Sequence, residues 1–375
     1  MRFLTAALAA FALLIAPQAA SASAKHGGHA TKLAQRDSLI HGIAGDDDYV
    51  FVTEPGLGVS TAGPRVVVLD RDSGRQVAVL PPPPGGFGLP FTLRVPDEGK
   101  LVVLDAGSFP PQGPPIVYDY TYRTGRRGAF EATLTRTVNF AGYPLVFAED
   151  IEVLPNGEYV VSESVIGGLW LIGRNGQVRP GIVPDPGAPP LENLAGCSFL
   201  GTNHYVGGLP FAGGGNFAPG AGSLAVRDEY LYLSSTCKGG VQKVRISTLR
   251  DTSRPAVLRA MEIRTVAHRK YKLESLKGIT FNQFDEDDDW IYAGDPFRLQ
   301  LIRIHSRTGQ REVLSTNRKL FNFTVSTAFL PPEKRGRQAA LVTASDQEYR
   351  WATLNVALTE DLFEPPFEVA EFTPR

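Results

Sequence analysis

Residues 145–172 read LVFAEDIEVLPNGEYVVSESVIGGLWLI, and the spacing within this stretch decides the fold. Glu149 and Asp150 lead into an alternating segment, Pro155-Asn156-Gly157 reverses it, and a second alternating segment ends at Glu163. A glycine turn then opens a third strand through Trp170. Period-two alternation punctuated by Pro, Asn and Gly marks antiparallel hairpins, and evenly spaced hairpins of this kind build the blades of a propeller.

Five further stretches can be laid beside this one. The clearest repeat pairs GIAGDDDYVFVTEP (42–55) with GITFNQFDEDDDWIYAGDP (278–296). Each has Gly-Ile, an acidic turn, an aromatic-led strand, and an acid followed by proline. Neither acidic turn has the alternating acids, central glycine and flanking helices of an EF-hand, so both read as solvated turns. The first blade spans 38–80, and the Pro81–Pro84 run, which lacks backbone donors, crosses to the second at 87–140. In the fourth blade, segments 223–226, 230–234 and 240–246 are completed by 257–263. An additional strand pair at 198–206 would instead make seven blades. The sixth blade uses 322–325, 339–343 and 351–354, with 367–370 or 39–44 as the closing strand. The expected fold class is therefore all-β, a six-bladed propeller of four-stranded antiparallel blades.

The amino terminus reads as a secretory signal peptide over residues 1–24: Arg2, an apolar run to Ala16, then a small-residue tail ending at Ala24. Residues 25–35 read as a flexible leader, and 36–375 as one propeller domain. The protein is thus expected outside the cytoplasm, secreted or periplasmic, as a monomer without a membrane span. With 43% hydrophobic and 21% charged residues, the chain has the balance of a folded protein. Its net charge of -1 gives no overall attraction to nucleic acid or an anionic surface. The 39 glycines and 29 prolines suit many tight turns between short strands, and no long amphipathic helix follows the signal. Cys197 and Cys237 are the only cysteines, an even pair that in an exported protein reads as one disulfide.

In a propeller, residues that start each inner strand and residues that end each second strand converge at one mouth of the central channel. The starts include His41, Glu149 with Asp150, Asn216 and Lys277. The ends include Glu54, Glu163 and Asp295. Such a crowd of carboxylates repels itself unless a cation compensates. A hard divalent ion, calcium above all, answers that need, with Glu149, Asn216, Asp295 and Glu54 as ligands. Glu149, Asp150, Glu163, Lys277 and His41 are the candidates for proton transfer. Each also has a structural reading: Glu149 and Asp150 as caps of the strand entry, Asn216 as a bridge between blades, Glu54, Glu163 and Asp295 as turn residues, His41 as a satisfied core histidine, Lys277 as a partner of Glu274. There is no Gly-x-Ser-x-Gly elbow, no nucleotide fingerprint and no CxxC or CxxCH motif.

The hairpin 151–163, followed by Gly168-Leu169-Trp170-Leu171-Ile172, and the blade count resemble the six-bladed SMP-30/gluconolactonase/strictosidine-synthase-like propellers, with NHL-type propellers close behind. The resemblance covers nearly the whole chain after the signal. It implies a lactonase-like hydrolase of a small molecule, with a divalent metal that polarises a lactone carbonyl or activates water. Metal-free cyclisation or condensation, and non-catalytic ligand binding, are the other functions it allows. Glu149, Asp150 and Asn216 match the branch's ligand pattern, whereas His41 stands where that branch has a glutamate.

Overall fold

Strands that are buried on both faces read as near-continuous apolar runs, and the middle strands of the blades do so at residues 49–52, 66–69, 101–104 and 169–172. The computed structural model describes residues 28–57, 62–107, 113–125, 129–196, 204–206, 209–211, 220–235, 240–268, 270, 275–332, 339–347 and 365–374. Strand β1 (His29–Arg36) comes first. The first blade is β2 (Ile43–Gly45), β3 (Tyr49–Glu54), β4 (Arg65–Asp70) and β5 (Gln76–Val79). The second is β6 (Pro90–Arg94), β7 (Lys100–Asp105), β8 (Ile116–Thr124) and β9 (Phe130–Asn139). The third is β10 (Ala148–Val153), β11 (Tyr159–Glu163), β12 (Gly168–Ile172) and β13 (Val178–Ile182).

A separate ribbon, β14 (His204–Val206) with β15 (Leu209–Phe211), precedes the fourth blade. That blade has β16 (Ala221–Arg227), β17 (Tyr230–Ser235) and β18 (Val241–Arg245), then helices α1 (Ile246–Arg250) and α2 (Ala256–Ala260), then β19 (Arg264–Ala267). The fifth is β20 (Lys277–Phe281), β21 (Trp290–Asp295), β22 (Gln300–His305) and β23 (Arg311–Ser315). The sixth takes β24 (Thr324–Leu330), β25 (Ala340–Ser345) and β26 (Phe367–Thr373) from the carboxyl end. Each blade is a four-stranded antiparallel sheet, and β1 completes the sixth in the order β24, β25, β26, β1.

This closure corrects the sequence reading in two places. Residues 29–36, expected within a flexible leader, are a strand that pairs with β26 from His29–Thr373 to Arg36–Phe367. As an outer strand it buries little beyond Ala34, Leu33 and Ala30, too few and too small to mark a strand in the sequence. Phe367–Thr373 is thus the third strand of its blade, with the amino-terminal strand outside it. In the fourth blade, the expected strand at 257–263 is instead mostly helix. Ala256, Arg259 and Ala260 are buried at helical spacing, and the outer strand follows as β19. Of the extra strand pair expected at 198–206, residues 198–203 lie outside the described residues, while 204–206 pair with 209–211 in a two-stranded ribbon that adds no seventh blade. The signal peptide, Cys197, Cys237 and the expected strand at 351–354 lie outside the described residues. Among the described residues, no helix is long and apolar enough to cross a membrane.

The core lies in the seams between blades. In β3, Val50 and Val52 face one seam with Leu330, Val342 and Val369 of the sixth blade, while Phe51 faces the other with Leu93, Val103 and Tyr120 of the second. The same alternation joins the second blade to the third through Val102, Leu104, Ile151 and Trp170. Each seam buries several large side chains, at roughly 1.5–3 kcal/mol apiece. Removing a blade would expose two seams, so the ring is stable only when closed.

Candidate functional site

The first strands of all six blades surround the axis, each packed on the next, with β2 returning to β24. Five of them shift register near their starts: β6 between Pro90 and Thr92, β10 between Ala148 and Asp150, β16 between Ala221 and Leu224, β20 between Lys277 and Thr280, and β24 between Thr324 and Ser326. A bulge inserts a residue and re-aims the neighbouring side chain. Here it turns residues at the strand starts toward the axis. At the bulge of β20, Gly278 has φ +59°, and a Cβ there would sit 2.6 Å from the Ser326 Cα. Only glycine fits both demands.

A polar belt stitches the blades at this level. His41 donates from Nδ1 to the Phe91 carbonyl (3.0 Å), and Thr92 donates to Asp150 (2.9 Å). The Leu224 amide donates to Asp150 Oδ2 (2.7 Å), and the Gly278 amide to Ser223 Oγ (2.7 Å). Thr327 donates to the Gly278 carbonyl, and the Ile43 amide to Ser326 Oγ (3.2 Å). Every junction between neighbouring blades therefore has a hydrogen bond at the axis. Buried polar groups cost free energy unless paired, and the belt pairs them.

The belt encloses a cavity of about 20 Å³, lined by His41, Thr92, Arg94, Glu149, Asp150, Ser223, Lys277, Gly278, Val325, Ser326 and Thr327. That is room for about one water molecule. Lys277 Nζ lies 3.5 Å from Glu149 Oε1, with both side chains largely buried. Glu149 Oε2 accepts from Ser164 Oγ at 3.3 Å. Asp150 is more fully engaged. Arg94 Nη2 donates to both its oxygens at 2.9 Å, and Thr92 and the amides of Ile151 and Leu224 donate as well. Burial works against the charge on Arg94, but Asp150 and Glu152 outweigh it and raise its pKa above the ordinary range. Asp150 thus holds three blades together, with little lone-pair capacity left over.

His41 is 6% exposed and its ring stacks on Phe91 with centroids 3.5 Å apart. Burial lowers its pKa to about 3, the Lys277 charge pushes the same way, and the bond to the Phe91 carbonyl opposes both. The imidazole is therefore neutral near pH 7, with its proton on Nδ1 because a carbonyl can only accept.

Four of the residues singled out from sequence, His41, Glu149, Asp150 and Lys277, thus meet at one cavity. Glu54, Glu163 and Asp295 are not in its lining. Glu54 is fully buried between Arg36 (2.8 Å) and Arg65 (2.6 Å), fastening the end of β1 to the first blade. Glu163 accepts from the amides of Phe147, Val165, Ile166 and Gly167, but burial outweighs them and raises its pKa. Asp295 takes Arg298 (3.0 Å) and Gln300 (3.1 Å). Asn216 and Glu274 lie outside the described residues. Thr92, Arg94 and Ser326 were missed. The signal for the first two was the polar spacing of Thr92 and Arg94 on an otherwise apolar inner strand.

A calcium ion takes six to eight oxygens at roughly 2.3–2.6 Å. The described donors do not suit it. Asp150 is committed to Arg94, Glu54 to two arginines and Asp295 to Arg298, while the ammonium of Lys277 already supplies a cation beside Glu149. Among the described residues, no three His, Cys, Asp or Glu side chains group as metal ligands.

No family model matches this sequence, and neither does any curated protein. Solved structures do. A luciferin-regenerating enzyme shares 14% identity over 92% of this chain and 95% of its own, with a TM-score of 0.54. The PQQ-bound form of an aldose sugar dehydrogenase from Streptomyces coelicolor shares 12% over 94% of this chain and 100% of its own, with a TM-score of 0.52. A gluconolactonase from Xanthomonas campestris shares 11% over 93% of this chain and 90% of its own, with a TM-score of 0.51. The fold is thus the six-bladed propeller expected from the hairpins, shared with proteins of lactonase and sugar-dehydrogenase activity.

Proposed function

We propose that this chain is an extracytoplasmic enzyme that hydrolyses a small cyclic ester at the axial mouth, with Glu149 as general base and Lys277 as electrophile. The observation that carries this reading is the 3.5 Å approach of Lys277 Nζ to Glu149 Oε1 at the edge of a water-sized cavity. An ammonium in a site largely closed to solvent stabilises a developing oxyanion far more than it would in water. The carboxylate beside it can accept the proton that water must lose. Water oxygen then bonds to the carbonyl carbon, and the π electrons move to the carbonyl oxygen beside Lys277. On collapse, the ring C–O bond breaks and the leaving alkoxide takes the proton back from Glu149. The product is the hydroxy acid.

The fold shared with a gluconolactonase adds weight as analogy only. A calcium-dependent form of the same hydrolysis requires Glu149 to exchange Lys277 for the ion, and the donor set around it favours the ammonium. The test is proton release from a panel of five- and six-membered aliphatic lactones, with and without chelator. Turnover should be indifferent to chelator and fall roughly 10²- to 10⁴-fold in Glu149→Gln. Acid release from none of the lactones would refute hydrolysis, and turnover that chelator abolishes and calcium restores would refute Lys277 as the electrophile.

A further inference from the structure

The proposed hydrolysis needs a water held in one orientation, and the cavity contains a ring nitrogen that the belt between the blades does not use. His41 Nε2 is buried and has no hydrogen-bond partner among the described residues. The other face of the ring is fixed twice, by stacking on Phe91 and by the bond from Nδ1 to its carbonyl. With the proton on Nδ1, Nε2 presents a lone pair, and leaving such an acceptor empty costs about 1–3 kcal/mol. The neighbouring hydroxyls do not relieve it. Ser223 Oγ accepts from Gly278 and Ser326 Oγ accepts from Ile43, and neither bonds to the ring.

We propose that His41 is a positioning residue that holds one water molecule in the axial cavity through Nε2, and that this water is the nucleophile of the reaction above. The cavity has the volume for a single water and the two to four polar partners that a buried water needs. A water that gives one hydrogen to His41 Nε2 and the other to Glu149 keeps both oxygen lone pairs for a carbonyl carbon. Because the ring stays neutral, it orients the water without competing for its proton. This role rests on the hydrolytic reading, but the water itself can be observed without any substrate.

Three measurements test it. In ¹⁵N-histidine-labelled protein near pH 7, the His41 ring, assigned by the signal lost in His41→Asn, should show a protonated Nδ1 and an unprotonated Nε2. A crystal structure of the wild type should show one solvent peak within hydrogen-bonding distance of Nε2. That peak should persist in Glu149→Gln, which tells failure of the water site apart from failure of the hydrolysis. Asn keeps a donor for the Phe91 carbonyl but has no acceptor at the Nε2 position. His41→Asn should therefore lower kcat about a hundredfold with KM nearly unchanged, as expected for a misplaced nucleophile. A protonated Nε2, or no solvent peak beside it, overturns the proposal whatever the activity. Full kcat in a folded His41→Asn overturns the catalytic part alone.

Discussion

Acidification should expose the neutral histidine at the axis. In the unfolded chain His41 takes up its proton near the ordinary value of 6.5, and in the folded protein only near 3. Between those values the unfolded state binds more protons, so stability drops as pH falls below 6.5 and levels off below 3. At about pH 4.5, two units below the unfolded value, the loss from this one group is roughly 2–3 kcal/mol at about 1.4 kcal/mol per unit. Carboxylates also titrate in this window, so the comparison needs a variant in which only the imidazole is gone. His41→Asn serves, since it retains the donor to Phe91. Urea unfolding near pH 7.5 and pH 4.5, followed by tryptophan fluorescence, gives four free energies. The wild type should lose about 2–3 kcal/mol more than the variant on acidification. Equal losses would mean that His41 titrates normally, and the neutral, buried imidazole would have to be abandoned.

Three other outcomes follow from the fold. Glu54→Gln should destabilise by about 2–4 kcal/mol in thermal or urea unfolding, because it strands Arg36 and Arg65, though their partial exposure softens the loss. Gly278→Ala should cost at least about 1–3 kcal/mol from its positive φ alone, with a further penalty from contact with the Ser326 backbone; unchanged melting would contradict the tight β20–β24 approach. A chain beginning at Asp37 should melt well below the full protein, because it lacks β1 and leaves β26 as an open edge. Equal melting temperatures would show that closure by the amino-terminal strand is dispensable.

Much of the fold was legible because the middle strands of a blade are buried on both faces and their turns must contain Gly, Pro, Asn or Asp. Strands β3, β11 and β21 show both features, and their bounds follow the segments expected from sequence almost residue for residue. Edge strands obey neither demand, which is why β1 resembled a leader and β19 was mistaken for 257–263. The site was legible only as a set of strand ends. Glu163 and Glu149 both sit at this level, but one turns to backbone amides and the other to the cavity, and nothing in their local sequence distinguishes them.

From its sequence alone, this chain determines six repeats of antiparallel hairpins and the acids, histidine and lysine that stand at one rim, since both depend on local periodicity. Tertiary structure alone decides which charges meet. Lys277 reaches Glu149 from two blades away, Arg94 saturates Asp150 from the blade before it, and β1 closes the last blade. Those pairings depend on ring closure and on the bulges that aim each side chain, and neither leaves a mark in the spacing of residues along one strand.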